Sequence, residues 1–196
     1  MNTISNFFLF ATILLCSQQS ALSQEQTTFE KTDAKSLTEN VFSAFDNNWF
    51  VVTAGNGDTY NPMTISWGGF GILWGAPVAT IYIRDTRYTY QLLNEGKYFT
   101  LCAFDEKYRS ATQYIGTKSG RDEDKIKASG LTPLKTELGN TYYAEARLVI
   151  ECEKVYNADF QPENITDPKG ANMYKDTESV HRIFIGKILN VWKKKL

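Results

Sequence analysis

The sequence predicts a mainly β fold, an antiparallel barrel carrying a few inserted helices. Three observations lead there. About six runs rich in β-branched and aromatic residues are spread along the 196 residues, turn signals separate them, and the helical segments are inserted irregularly, without the strand–helix alternation of a doubly wound parallel sheet.

The first 23 residues carry no charged side chain, and Phe7 to Cys16 form an apolar run too short to span a bilayer. With Ala21 and Ser23 ahead of Gln24, they read as an export signal leaving residues 24–196. Lipid attachment at Cys16 is disfavoured, because Leu15 stands where a small residue is wanted. If the leader is cleaved the protein is exported, to a periplasm-like compartment; if it is not a signal, the chain stays in the cytoplasm. Residues 24–35 form a polar lead-in, and 36–196 form one domain, long enough to bury roughly 70% of its unfolded surface.

Within the domain, Ser36-Leu-Thr-Glu39 fits a capping box opening a short helix, with Leu37, Val41, Phe42 and Phe45 on one face. Strands follow at 49–54, 63–67, 78–83, 98–104, 142–155 and 182–192. Helices are expected at 88–93, 108–115 and 122–128, the last ended by Gly130. Residues 157–179 lose periodicity; a stretch this long is either a lid or partner-contacting loop or a solvated insertion.

Lysine plus arginine number 21 and aspartate plus glutamate 22, so no basic footprint for nucleic acid exists, and Lys193 to Lys195 read as a solvated tail. Cys102 and Cys152 sit in apolar strand-like runs and read as small buried hydrophobes, although export would permit a disulfide. A single histidine without clustered cysteines does not make a transition-metal site.

The chemistry concentrates at IYIRDTRYTYQLL, residues 81–93. Strand alternation puts Tyr82 and Arg84 on one face and Ile81 and Ile83 on the other. Asp85-Thr86-Arg87-Tyr88-Thr89 then opens a helix whose free N–H groups and dipole favour an anion. Arg84, Arg87 and the Thr89 hydroxyl complete a plausible phosphate cradle. The bland alternative is that Thr86 merely caps the helix while the arginines pair with Asp85 and Glu95. Upstream, Thr64 and Ser66 share a strand face that could bond the polar edge of a planar ligand, with glycines at 68, 69, 71 and 75 allowing close approach of a ring.

The run N-x-MTxSWGG…W…PVAT…R…RYTY, SGRDxDK at 119–125 and HRxxIGxI at 181–188 together resemble the flavin reductase-like family of FMN-binding split barrels, from about residue 36 onward. The resemblance implies a six-stranded antiparallel Greek-key split β-barrel, a homodimer, and FMN near the subunit interface. It places the FMN phosphate at Arg84, Arg87, Tyr88 and Thr89, and the ribityl chain and ring at Asn61, Thr64, Ser66 and Trp67. Ser119, Arg121 and Lys125 would complete the pocket or a dimer contact, while Asp122 and Asp124 could equally cap the next helix. His181, the chain's one histidine, would orient a reductant or transfer a proton, against the plainer reading of a structurally satisfied histidine. The implied activity is hydride transfer from NADH or NADPH to flavin and on to an acceptor. An exported FMN-binding electron carrier without nicotinamide activity, docking to an acceptor protein, is the alternative, and a barrel that has lost its cofactor a third.

Overall fold

The computed structural model describes residues 28–195; the predicted leader, with Cys16, lies outside them. Ten strands and five helices follow one another: β1 Phe29–Thr32, α1 Val41–Asp46, β2 Phe50–Asn56, β3 Thr59–Ile65, β4 Gly68–Leu73, β5 Ala76–Arg84, α2 Tyr88–Glu95, β6 Tyr98–Ala103, α3 Arg109–Thr117, α4 Lys125–Ser129, β7 Pro133–Lys135, β8 Thr141–Tyr143, β9 Leu148–Asp159, α5 Pro168–Tyr174 and β10 His181–Lys194.

The antiparallel, mainly β architecture is as expected, but the strand inventory is larger. The main sheet runs β3-β2-β6-β9-β10-β5-β4, with β1 added on β10, making eight strands in place of six. β1 comes from the supposed polar lead-in. It pairs Phe29 with Lys194, so the basic end of the chain is strand and not a free tail. β4 is the Gly-rich stretch GGFGIL, paired residue for residue with β5. Asn40, whose side chain accepts from the Ser43 amide, caps α1; the Ser36 box does not, because Ala34–Ser36 is already a 3₁₀ turn. The 142–155 run breaks into β8 and β9, and its end extends to Asp159. Gly130, at φ 74°, ends α4 as expected.

β10 is the hinge of the barrel. Its first half pairs with β5, its last four residues pair with β1, and β9 follows it throughout, past register shifts at Ile185/Gly186 and Ile188/Asn190. Such bulges bend a strand enough for one chain segment to serve two sides. Gly186 is obligatory at the bend, since a Cβ there would lie 2.5 Å from the Phe99 ring and 2.6 Å from Cys152 Cβ.

Strand β2 explains the two cores. Phe50, Val52 and Ala54 face the barrel interior with Leu101, Ile150, Ile81, Ile83 and Phe184. Val51 faces the other way, onto Cys102, Val149 and the apolar sides of Ala111 and Ile115 from α3. Helix α3 therefore packs as a second layer, which is why β2, β6 and β9 read as continuous apolar runs.

Cys102 and Cys152 are fully buried free thiols on neighbouring strands; the pairing that export would permit is not made. Burial pushes the Cys102 thiol up to about 12 and the Cys152 thiol higher still. Native protein exposed to a maleimide at pH 8 is therefore expected to stay unlabelled at both positions, with labelling appearing only on unfolding. Peptide mapping that finds either cysteine modified in the native state would contradict this packing.

Candidate functional site

Chain direction builds the site. β5 pairs with β10, whereas the next strand, β6, pairs with β2 and β9, so α2 must cross between the strands flanking the β9–β10 pair. Its first turn starts at Tyr88, after the short connection 85–87 that follows Arg84, and register places Arg84 opposite His181. Arg87 is the residue before the first turn and makes no side-chain capping bond. The amides of Tyr88 and Thr89, at the head of that turn, have no helical carbonyl to reach.

Around that turn lies a cavity of about 160 Å³, lined among others by Asn61, Met63, Arg87, Tyr88, Thr89, Ser119, Arg121 and Lys125. Asn61 ties the walls together. Its Nδ2 donates to Thr89 Oγ1 at 2.6 Å and to the Pro62 carbonyl at 3.1 Å, joining β3 to α2. Because the Thr89 oxygen accepts from Asn61, its own proton is left to donate. The loop after α3 closes over this pair at Gly120, where any Cβ would fall 1.9 Å from Asn61 Oδ1, so a larger residue would have to displace the hydrogen-bonded Asn61 side chain. Arg121 is held by a bond from its guanidinium to the Thr86 carbonyl, 3.2 Å, and lies over the Tyr88 ring at 5.2 Å.

The cavity is cationic. The Arg87 guanidinium has no hydrogen-bond or ion-pair partner among the described residues, its only bonds being backbone ones to Arg84 and Tyr90. Lys125, only 4% exposed, bonds the Ile115 carbonyl at 3.1 Å and the Pro62 carbonyl. Burial, and secondarily Arg87, pushes its ammonium down to about 8, with Glu123 opposing. A helix dipole is worth about 0.3–1 kcal/mol to an anion at this position. A hydrogen bond to a charged group is worth about 1.5–3 kcal/mol, so Arg87 and Lys125 outweigh the helix end. Uncapped amides, a free hydroxyl proton and two cations fit a phosphate monoester.

A second cavity of about 310 Å³ adjoins the first through Gly116 and Thr117, and Trp49, Thr64, Ser66 and Gln113 complete its lining. Its size is within the range of ligand pockets, about 300–1,000 Å³. Thr64 is committed on one side, its hydroxyl donating to the Thr112 carbonyl at 2.5 Å and holding α3 against β3. Ser66 makes no such bond among the described residues. Trp49 is fixed beneath the Arg109 guanidinium, 3.2 Å from the ring centre.

Most of the expected residues converge on these two cavities: Asn61, Arg87, Tyr88, Thr89, Ser119, Arg121 and Lys125 on the first, Thr64 and Ser66 on the second. Arg84 and Trp67 do not. The Arg84 guanidinium turns to Ser179, bonding its hydroxyl at 3.0 Å and its carbonyl at 3.3 Å, and the Ser179 hydroxyl bonds Asp85 in turn. Strand alternation put Arg84 on the correct face, but the returning 157–179 segment captures it. Nor do the arginines pair directly with Asp85 or Glu95. Trp67 is 46% exposed and packs on His181, ring centres 5.1 Å apart. Asp124, as weighed from sequence, caps α4 by accepting from the Ile126 and Lys127 amides.

His181 forms a separate cluster with Trp67, Phe160 and Tyr174, its Nδ1 2.7 Å from the Tyr174 hydroxyl. Burial first, then Arg84 and Arg87, hold the imidazole below its ordinary value against the opposing pull of Asp85, which favours the neutral ring. Sequence reading missed Tyr174, Trp49, Gln113 and Gly120. Only Gly120, inside SGRDEDK, carried a signal.

The flavin reductase like domain model matches residues 42–195. This chain belongs to the flavin reductase-like family. Among solved structures, flavoredoxin from Methanosarcina acetivorans is 20% identical with a TM-score of 0.61, covering 85% of this chain and 76% of its own. The FMN-binding domain of a flavin reductases-like enzyme from Shewanella baltica is 13% identical with a TM-score of 0.60, over 85% and 78%. The NADH:FAD oxidoreductase of Streptomyces globisporus, solved with NAD and FAD fragments, is 16% identical with a TM-score of 0.57, over 76% and 77%. At these identities the likeness is one of split-barrel fold. No curated protein matches the sequence.

Lys125 makes the first cavity pH-sensitive. Below about pH 8 the folded chain bears the full cost of its buried ammonium. Between about 8 and the ordinary lysine value of 10.5 the folded chain has released that proton while the unfolded chain retains it, so this contribution to stability rises with pH. Affinity for a phosphate monoester should run the opposite way, falling as pH climbs through about 8. Urea unfolding and ligand titration from pH 7 to 10 are expected to show both slopes in the native protein and neither in Lys125→Met. Equal slopes in the two proteins would remove Lys125 from the site.

Proposed function

We propose that this protein binds FMN, with its phosphate on the first turn of α2 and its ring toward Thr64, Ser66 and Trp49, and that it is an NAD(P)H-dependent oxidoreductase. The observation that carries this reading is the uncapped α2 turn beside the unpartnered Arg87 and the buried Lys125. FMN held there would supply the redox chemistry, a ring able to take up a hydride, while the protein's own residues would supply placement and electrostatics. Arg87, Lys125, the Thr89 hydroxyl and the Tyr88 and Thr89 amides would hold the phosphate. Ser66 and the adjoining backbone would meet the polar edge of the ring. His181, with Trp67 against it, would stand on the reductant side. Family membership and the likeness to an NADH:FAD oxidoreductase support the nicotinamide.

A second reading is an FMN-binding electron carrier that receives electrons from a protein. The uncharged leader-like segment 1–23 favours it, since an exported protein meets little nicotinamide, and one structural relative is a flavoredoxin. Either protein would act as a homodimer. Ile72 and Trp74 on the outer β4 strand and its turn, and Phe42 on the α1 helix packed against it, are 64%, 75% and 87% exposed, a surface that a second copy would cover. Trp74→Asp is expected to convert a dimer to a monomer in analytical ultracentrifugation; a native monomer would count against the pairing.

Titration separates phosphate recognition from ring recognition. Native protein should bind FMN more tightly than riboflavin, and Arg87→Ala should lose roughly 1.5–3 kcal/mol for FMN while leaving riboflavin unchanged. Equal affinities in the native protein would overturn the phosphate assignment. Anaerobic mixing of the yellow protein with NADH or NADPH then decides between enzyme and carrier: bleaching supports the enzyme, and its absence with both supports the carrier.

A further inference from the structure

The 157–179 segment, featureless in sequence, is built around His181. Its α5 helix starts with Pro168, is capped by Asp167, which accepts from the Gly170 amide at 2.7 Å, and ends at Tyr174. Tyr174 is 7% exposed. Its ring stands almost perpendicular to the imidazole, 83° and 5.8 Å between centres, and Phe160 packs at 6.4 Å from both rings. The Phe160 amide bonds the His181 carbonyl at 2.8 Å, tying the segment to the start of β10. With Trp67 packed against it as well, the imidazole is clamped by three aromatic side chains and its Nδ1 is engaged.

The identity of that partner sets the tautomer. A carboxylate or carbonyl at Nδ1 would draw the ring proton there and leave Nε2 free as a base. Here the partner is a phenol, whose only hydrogen-bond partner among the described residues is this nitrogen. A phenol can donate to an imidazole nitrogen or accept from it; with no other acceptor for its proton among the described residues, donation to a bare Nδ1 is the arrangement that uses the Tyr174 O–H. The charged groups around the ring are Arg84 from β5 and Asp85 and Arg87 from the connection to α2, and Tyr174 is the titratable neighbour from α5.

We propose that Tyr174 is a positioning residue: its hydroxyl donates to Nδ1 and fixes His181 as the Nε2–H tautomer, so that the imidazole serves as a neutral hydrogen-bond donor to the reductant and not as a proton acceptor. The tautomer rests on the Tyr174 contact and on the lack of another acceptor for its hydroxyl among the described residues; the role toward a reductant rests on the hydride-transfer reading above. The long segment thereby acquires a task, delivering one hydroxyl to the back of one ring.

Because the chain has a single histidine, protein grown on ¹⁵N-histidine reports this ring without assignment. In the full-length FMN-loaded protein between pH 6 and 8, long-range ¹H–¹⁵N spectra should show Nδ1 unprotonated and Nε2 protonated. Tyr174→Phe keeps the ring and removes the donor; it should give a mixture of tautomers and raise the imidazole titration midpoint. It should also slow anaerobic flavin reduction about tenfold, the equivalent of one lost hydrogen bond, with FMN affinity unchanged. A native spectrum with the proton on Nδ1, or one that Tyr174→Phe leaves unaltered, would overturn the tautomer assignment. A shifted tautomer with an unchanged reduction rate would overturn the positioning role. If native protein accepts no hydride from either nicotinamide, the positioning role toward a reductant falls with the hydride-transfer reading, while the spectra still decide the tautomer.

Discussion

The site depends on one buried amide. Asn61, at 4% exposure, spends its Nδ2 on Thr89 and the Pro62 carbonyl, and its Oδ1 lies 1.9 Å from where a Cβ at Gly120 would fall. Through those contacts β3, the start of α2 and the loop after α3 are locked into one corner. A buried side-chain amide left unpaired costs about 1–3 kcal/mol, so the three elements cannot separate without exposing that group or leaving it orphaned. The Lys125 ammonium, bonded to the same Pro62 carbonyl, adds a charge to the tie. A cationic corner held this firmly does not need to reorganise when an anion arrives, and preorganisation of this kind is where binding affinity is gained.

The barrel makes that corner available by topology. Because β5 lies beside β10 and the chain must then cross to β6, a helix end is delivered to the rim next to the start of β10. The phosphate-type cavity and the His181 cluster are therefore neighbours without sharing residues. Arg87 lines the first and lowers the proton affinity of the second. Electrostatics thus link the two: after burial, Arg84 and the cavity-lining Arg87 also push the imidazole toward its neutral form.

How far the sequence could be read follows from the range of the interactions involved. Strands and helices with strong periodicity were legible because alternation and 3.6-residue spacing are local. β4 was not, because three glycines in GGFGIL erase the alternation, and β1 was not, because FEKT becomes a strand only through β10, more than 150 residues away. The convergence of Arg87, Tyr88 and Thr89 on one cavity was legible, because strand end and helix start adjoin there. Arg84 carried the same chemistry, but its guanidinium is decided by Ser179, a contact no local pattern encodes. Tyr174 was invisible for the same reason, lying in an aperiodic stretch and meaningful only beside His181. Lys125 was visible within a motif, but its burial beneath β3 was not.

We propose that the helix start at Arg87 to Thr89 seats the phosphate of a flavin nucleotide. A crystal structure of the protein grown with FMN tests it most directly. The phosphate is expected within hydrogen-bond distance of the Tyr88 and Thr89 amides and the Arg87 guanidinium, with the ring lying past Gly116 toward Ser66. A phosphate seated elsewhere, with Arg87 turned to solvent, would contradict it.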